Sequence, residues 1–191
     1  TDASVFVAAP TSLTMPASSL AVVYGTNVIA AGYSNISASV FTTNNVPFLM
    51  SMATTNGTEL WAKASTNSGH YSSIAVYGTN LLAVGAAYSA GNTLASSGLI
   101  EMWSLTGAQL LSLTMTNFGA NRTSWLSSVV AIEALDRAYA VGSVINSDKT
   151  VDAVLVEIDL TALANYATNP ASVPIVSVVT NNITNYNAFG F

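Results

Sequence analysis

The fold is decided by one stretch of the sequence, Val23-Tyr24-Gly25-Thr26-Asn27-Val28-Ile29-Ala30-Ala31-Gly32. It returns 53 residues later, counted from Tyr24 to Tyr77, as Val76-Tyr77-Gly78-Thr79-Asn80-Leu81-Leu82-Ala83-Val84-Gly85. A more diverged third copy covers 131–142, with Asp136-Arg137 at the Thr-Asn position and Ala140-Val141-Gly142 at the end. Recurrence at a nearly constant period indicates a repeat architecture. The sequence therefore predicts three related units.

The second half of each unit aligns as well. In the first two units, Phe48 to Met52 is followed by Asn56-Gly57, and Leu99 to Trp103 is followed by Gly107. The third unit has Ala153 to Ile158, followed by Leu160 to Leu163. Glycine-containing turns between runs of β-branched, aromatic and alternating apolar residues are typical of hairpins. Two hairpins per unit predict a four-stranded antiparallel sheet.

We therefore predict an all-β protein of three repeated four-stranded antiparallel units. They could stand side by side like propeller blades, close as a three-fold trefoil or prism, or pack as a sandwich. The predicted repeat domain covers 19–170, divided into units at 19–71, 72–125 and 126–170. An apolar arm and linker at 1–18 precede it, and a strand with an aromatic tail at 171–191 follows it.

One segment has helical rather than strand spacing. In Asp159 to Tyr166, the apolar residues Leu160, Leu163 and Ala164 fall on one side of a helix. This segment is the one serious helix candidate in the sequence.

The repeat resembles the blades of secreted β-propeller proteins over roughly residues 19–165. Ser72 to Gly85 is similar to an inner blade hairpin, and Phe48 to Trp61 is similar to an outer one. The resemblance implies a ring of blades, but propellers typically close with four to eight blades and this sequence has three units. We therefore expect open sheet ends, which can recruit further strands.

An apolar terminal arm could fill such an opening. Val5, Phe6, Val7 and Ala9 form a strand-like segment before Pro10. An extended segment of this kind can add to the open sheet of a neighbouring subunit, as in donor-strand complementation. The alternative is that the arm pairs within its own chain.

Composition excludes several classes of function. Only 7% of the residues are charged, against about 25% in an average soluble protein, while 51% are hydrophobic. The net charge of -5 opposes binding to nucleic acid, and the apolar runs are too short to span a membrane. Ser, Thr and Asn make up about a third of the chain, and we expect their side chains to form hydrogen bonds with water at the surface in place of charged groups. Because the chain has no Cys, its stability cannot depend on disulfides.

The predicted sites of modification are asparagines. Asn35, Asn56, Asn121 and Asn182 each begin an Asn-x-Ser/Thr sequence, the acceptor pattern for N-linked glycans, although some matches are expected by chance in such a sequence. The chain begins at Thr1, as expected if a targeting segment or an initiator methionine has been removed. With the low charge, these features predict a secreted, extracellular protein.

The sequence offers few candidate residues for catalysis or metal binding. The single His70 lacks neighbouring metal ligands in the sequence and is expected to be a surface or capping residue. Two carboxylate pairs, Asp148 with Asp152 and Glu157 with Asp159, lack the ligand density of a calcium loop. We expect no metal, no cofactor and no enzymatic activity.

Two functions fit the pattern. The first is a structural subunit of an extracellular filament, such as a pilus, or of a surface layer, on an archaeon or another extremophile. Copies of the chain would be joined by strand exchange. The alternative is a lectin-like carbohydrate-binding module, in which Trp61, Trp103 and Trp125 could stack on sugar rings. Because the repeats match in strands and turns rather than in loops, the first is favoured.

Overall fold

The computed structural model describes residues 20–35, 45–89, 92–115, 122–166, 168–169 and 174–182. Within these ranges the protein is almost entirely β-structure. The elements are β1 (Leu20–Tyr24), β2 (Asn27–Asn35), β3 (Asn45–Ala53), β4 (Glu59–Ala64), β5 (Gly69–Tyr77), β6 (Asn80–Ser89), β7 (Asn92–Ser104), β8 (Gln109–Met115), β9 (Thr123–Ile132), β10 (Arg137–Ile145), β11 (Val151–Asp159), α1 (Leu160–Tyr166) and β12 (Ile175–Asn182). A single 3₁₀ turn, Glu133–Leu135, precedes β10.

The strands form three four-stranded antiparallel sheets, which confirms the predicted fold class. Sheet 1 has the order β1-β2-β3-β4, sheet 2 the order β5-β6-β7-β8, and sheet 3 the order β9-β10-β11-β12. In each sheet every strand pairs with the next strand along the chain. Each sequence repeat is therefore one sheet.

The repeated Gly-Thr turn connects the first two strands of sheets 1 and 2. Gly25 and Gly78 have φ angles of +57° and +56°, in the left-handed region that glycine adopts without steric cost. Glycine at the first central position fits a type II′ hairpin turn. In sheet 3 the 3₁₀ turn replaces it, and Asp136 takes the left-handed conformation with φ at +50°.

A second repeated glycine sits opposite a β-bulge. The bulges leave out Ser72 in β5 and Ser127 in β9, next to Gly85 and Gly142 respectively. A Cβ atom on Gly85 or Gly142 would lie 2.0 Å from a carbonyl oxygen of the paired strand. The glycines that end the second and third repeats are thus required by a close backbone approach.

Sheet 3 is completed by a strand that follows a helix. The predicted helix is confirmed, since α1 begins at Leu160 and buries Leu160 and Leu163. The fourth strand of sheet 3 is therefore not the segment Leu160 to Leu163 that aligned with the repeats. It is β12, which pairs with β11, so this C-terminal strand is used within its own chain.

The sheets stack face to face, with sheet 2 in the middle. β5 packs against β1, β2 and β3, while β9 packs against β5, β6 and β7. Among the described residues, sheets 1 and 3 share no packing of similar extent. The units thus follow one another like blades of an open propeller.

Two hydrophobic clusters hold the stack together. One joins sheets 1 and 2 and includes Ile29, Leu49, Leu81 and Leu99. The other joins sheets 2 and 3 and includes Val84, Ile100, Val129, Val156 and α1 residues. Each fully buried aliphatic side chain of this size stabilises the fold by about 1.5–3 kcal/mol.

Candidate assembly surfaces

The face of each sheet that points toward the preceding sheet is called here its leading face, and the opposite one its trailing face. In sheet 2, Leu81 and Ala83 on the leading face contact sheet 1, whereas Leu82 and Val84 on the trailing face contact sheet 3. The stack of three sheets therefore ends in two faces that have no neighbouring sheet among the described residues. These are the leading face of sheet 1 and the trailing face of sheet 3.

The trailing face of sheet 3 exposes aliphatic side chains. Val141 is paired in register with Leu155, and Leu155 with Val179, so the three residues form a row across β10, β11 and β12. Their exposed fractions are 46%, 42% and 56%. Val130 on β9 is also exposed on this face. An apolar row on a sheet face is typical of a surface that packs on another element.

The charges on this face are confined to one end. Glu157 and Asp159 project from the same face of β11, and both contact Arg137. The Arg137 guanidinium lies 3.4 Å from Glu157 and 2.8 Å from Asp159. Asp159 also accepts a hydrogen bond of 2.8 Å from the backbone N–H of Ala162 in α1. These carboxylates are therefore occupied in structural contacts.

The leading face of sheet 1 is divided. Phe48, Met50 and Met52 on β3 form a small buried cluster. Ala21 and Val23 on β1 are exposed, Val23 by 69%. The open part of this face is therefore its first strand.

A buried carboxylate lies between sheets 1 and 2. Glu101 is inaccessible to solvent and accepts hydrogen bonds from five side chains. Three of them reach Oε1, namely Ser65 Oγ at 2.7 Å, Asn67 Nδ2 at 2.7 Å and Ser112 Oγ at 2.9 Å. The Tyr71 hydroxyl and the Trp103 indole N–H, the latter at 3.2 Å, donate to Oε2.

This network binds the segment that connects sheets 1 and 2 to the third strand of sheet 2. Ser65 and Asn67 belong to the segment between β4 and β5, and Glu101 belongs to β7. Burial, followed by the charge of Glu101 and its hydrogen bond, raises the pKa of Tyr71. The alternation in Ile100-Glu101-Met102 is typical of a strand with one side toward solvent. The structure shows that both sides of this central strand are buried, because sheet 2 has a neighbour on each face.

The remaining carboxylate pair also serves the fold. Asp148 accepts hydrogen bonds from the backbone and hydroxyl of Thr150, and these bonds lower the pKa of Asp148. Asp152 is buried and accepts a 2.9 Å hydrogen bond from Asn146. In the ranges that the structure describes, no three His, Asp or Glu side chains are grouped so that they could hold a metal ion.

His70 lies between two tyrosines. Its Nδ1 is 2.9 Å from the Tyr88 hydroxyl, and its ring makes an edge contact with Tyr33. Burial lowers the pKa of His70 from its ordinary value of 6.5. His70, expected to be a surface or capping residue, is therefore half-buried and has a hydrogen-bond partner on the neighbouring strand.

The three tryptophans do not share a surface. Trp103 is buried, and Trp61 packs on the same cluster while its indole N–H donates a 3.0 Å hydrogen bond to Leu105. Trp125 is half-buried and pairs with Ser143, on the trailing face of sheet 3. They therefore do not form three equivalent aromatic platforms for sugars.

Of the four predicted glycosylation residues, the three that the structure describes lie in a turn or at the end of a strand. Asn56 is exposed at the β3–β4 turn, where its Oδ1 accepts a hydrogen bond from the Thr58 N–H. Asn35 and Asn182 are the last residues of β2 and β12. Asn121 lies outside the described residues, as do the arm residues Val5, Phe6, Val7 and Ala9.

In comparisons with known proteins, no family model and no curated protein matches this chain. The only α-helix within the described ranges, α1, has seven residues, and no helix there is long and apolar enough to cross a membrane.

Proposed function

We propose that this protein is a structural subunit of an extracellular filament or surface assembly, in which copies of the chain join by strand exchange. A subunit of this kind needs surfaces for its neighbours rather than a reaction centre. The single observation that carries the proposal is the row of exposed aliphatic residues on the trailing face of sheet 3, Val141, Leu155 and Val179. Only 7% of the residues are charged. Contact with other subunits would remove this apolar surface from water.

The N-terminal arm is the proposed donor strand. Val5, Phe6 and Val7 are apolar and lie before Pro10. β12 is already paired with β11 in its own chain, which favours the N-terminal rather than the C-terminal arm as the exchanged segment. In a receiving subunit, the backbone of the arm would pair with an outermost strand, and its side chains would add to the apolar surface.

The exposed sequon also supports an extracellular assembly. Asn56 stands at a hairpin tip, where a glycan can be attached without disturbing the sheet. Glycans at such tips would hydrate a surface that carries few charges. Asn35, Asn121 and Asn182 are further proposed attachment sites.

Serine substitution in the arm tests the strand exchange. In the full chain, Val5→Ser, Phe6→Ser and Val7→Ser together keep the length of the arm but remove its apolar side chains. We expect wild-type protein to form polymers visible by negative-stain electron microscopy and the triple variant to remain in small particles.

The control is Leu135→Ser, which makes one exposed aliphatic residue polar at a position far from the arm in the sequence. It should polymerise like the wild type. Polymers of unchanged length and abundance from the triple variant would show that the arm does not join the subunits.

A further inference from the structure

We infer that β1 of one copy of this chain packs across the trailing face of sheet 3 of another copy. The inference rests on the proposed function and specifies one of the surfaces through which the subunits meet. It follows from comparing equivalent positions in the three sheets.

The strand registers identify the equivalent positions on the trailing faces. Val84 in sheet 2 and Val141 in sheet 3 each lie one residue before the repeated glycine of the second strand, so they are equivalent. Their partners on the third strand, Ile100 and Leu155, are therefore equivalent as well. Val84 and Ile100 are both 0% exposed, since sheet 3 covers them. Val141 and Leu155 retain the same chemistry, but no fourth sheet follows them among the described residues.

Both internal contacts are made in the same way. The first strand of the later sheet packs across the earlier sheet, as β5 does on sheet 1 and β9 does on sheet 2. Ile74 of β5 and Val129 of β9 provide buried leading-face side chains in these contacts. The first strand is therefore the part of each unit that approaches the preceding sheet.

β1 is the corresponding strand of sheet 1, and its leading-face residues are exposed. Ala21 pairs with Ala30, as Ile74 pairs with Ala83 and Val129 with Ala140, so the three first-strand residues are equivalent. Ala21 is exposed whereas Ile74 and Val129 are buried. Its neighbour on this face, Val23, is 69% exposed.

The open part of sheet 1 corresponds to the strand that makes each internal contact. In the described part of the chain, sheet 3 presents a trailing face without a following first strand, and sheet 1 presents β1 without a preceding sheet. Because Phe48, Met50 and Met52 on β3 are already buried, β1 is the part of sheet 1 that would enter the contact.

The contact is heterologous, because it joins different faces of the two copies. Each added copy leaves one face of each kind for the next, so the contact can be repeated along an assembly. Two identical trailing faces packed together would instead produce a closed dimer.

Single aspartate substitutions test the two surfaces separately. Val141→Asp and Val23→Asp each place a charge in the proposed contact. Because both residues are exposed, we expect each variant to keep the wild-type circular dichroism spectrum. Sedimentation velocity should show at least a tenfold loss of assembled material for either variant. Leu110→Asp is the matched control, since Leu110 is 43% exposed on β8 of the middle sheet, and it should assemble like the wild type.

Cysteine crosslinking identifies the paired faces even if an aspartate variant misfolds. The natural chain has no Cys, so Val23→Cys and Val141→Cys each introduce one thiol. With a flexible bismaleimide, a mixture of the two variants should yield a crosslinked dimer. Each variant alone should give at most one tenth of that yield. A dimer from Val141→Cys alone, in equal yield, would overturn the heterologous arrangement.

The outcomes separate the inference from the proposed function. Assembly that survives Val23→Asp but not Val141→Asp overturns the inferred contact and leaves the filament proposal standing. Assembly that survives both substitutions overturns the inferred contact and also removes the aliphatic row as support for the filament proposal. Wild-type protein that stays monomeric at all concentrations contradicts both the inferred contact and the filament proposal. The partner of these faces would then be a different protein.

Discussion

Replacing Glu101 should weaken the protein more than replacing any other carboxylate in the described residues. Glu101 receives hydrogen bonds from Ser65, Asn67, Ser112, Tyr71 and Trp103. A hydrogen bond to a charged group contributes about 1.5–3 kcal/mol. The five values do not add fully, because several donors have a second partner.

The second partners reduce the expected cost of Glu101→Ala. After the substitution, Trp103 can still donate to the Tyr71 hydroxyl at 3.0 Å, and Asn67 can still donate to Ser112 at 2.7 Å. The Ser65 and Tyr71 hydroxyl groups lose their acceptor in a buried site. Each buried donor left without an acceptor costs about 1–3 kcal/mol, so we expect the two together to lower the free energy of unfolding by about 2–6 kcal/mol.

Glu101→Gln separates the role of the carboxylate from that of side-chain volume. The amide keeps the shape but turns one acceptor into a donor that faces donors, which should cost about 2 kcal/mol. Urea unfolding followed by tryptophan fluorescence measures both variants, because Trp61 and Trp103 lie at the contact of sheets 1 and 2.

Glu157→Gln provides the control for removing one charge. Glu157 is partly exposed and its ion pair with Arg137 is 3.4 Å long, so the expected loss is below about 1 kcal/mol. If Glu101→Gln unfolds within 0.5 kcal/mol of the wild type, about the usual effect of a surface substitution, the network is not holding the two sheets together.

Three further predictions concern the bulge, His70 and the sequon. Gly142→Ala should lower the free energy of unfolding by more than about 3 kcal/mol, because its Cβ would meet a carbonyl oxygen at 2.0 Å. Gly25→Ala has open space around its Cβ but a φ of +57°, so it should lower the free energy of unfolding by about 1–2 kcal/mol. Equal losses for the two variants in urea unfolding would contradict the close approach at Gly142. Because burial lowers the pKa of His70 below 6.5 in the folded state, the unfolded state binds the proton first as the pH falls. The free energy of unfolding should therefore decrease as the pH drops below 6.5. If His70→Gln shows the same dependence of this free energy on pH as the wild type, His70 does not make this contribution. Glycan at Asn56 should appear as added mass on the peptide that contains it after expression in a glycosylating host, and should be absent in Asn56→Gln; an unmodified wild-type peptide would argue against this site.

The local features of the fold could be predicted because short-range chemistry determines them. Glycine at the first position of the Gly-Thr turn permits a positive φ, and its recurrence at Gly25 and Gly78 marks two hairpins. The helical spacing of Leu160 and Leu163 correctly placed α1. Neither inference needs knowledge of a distant part of the chain.

The features that were missed depend on distant parts of the chain. β12 lies beyond α1 and lacks the repeat motif, so alignment chose the helix segment as the fourth strand. The burial of Glu101 could not be predicted, because the sequence does not show that sheet 2 is covered on both faces. Only its five donors, drawn from four separate segments, explain a buried carboxylate.

The aliphatic row on sheet 3 illustrates the same limit. The repeat aligned Val141 with Val84. It did not show that one would be buried and the other exposed, because that difference depends on which sheets have neighbours.

The molar mass of the purified full chain in solution, measured by light scattering across a concentration series, tests self-association most directly. We predict species that grow with concentration in multiples of the 19.7 kDa chain. A constant mass of 19.7 kDa at every concentration would contradict the account.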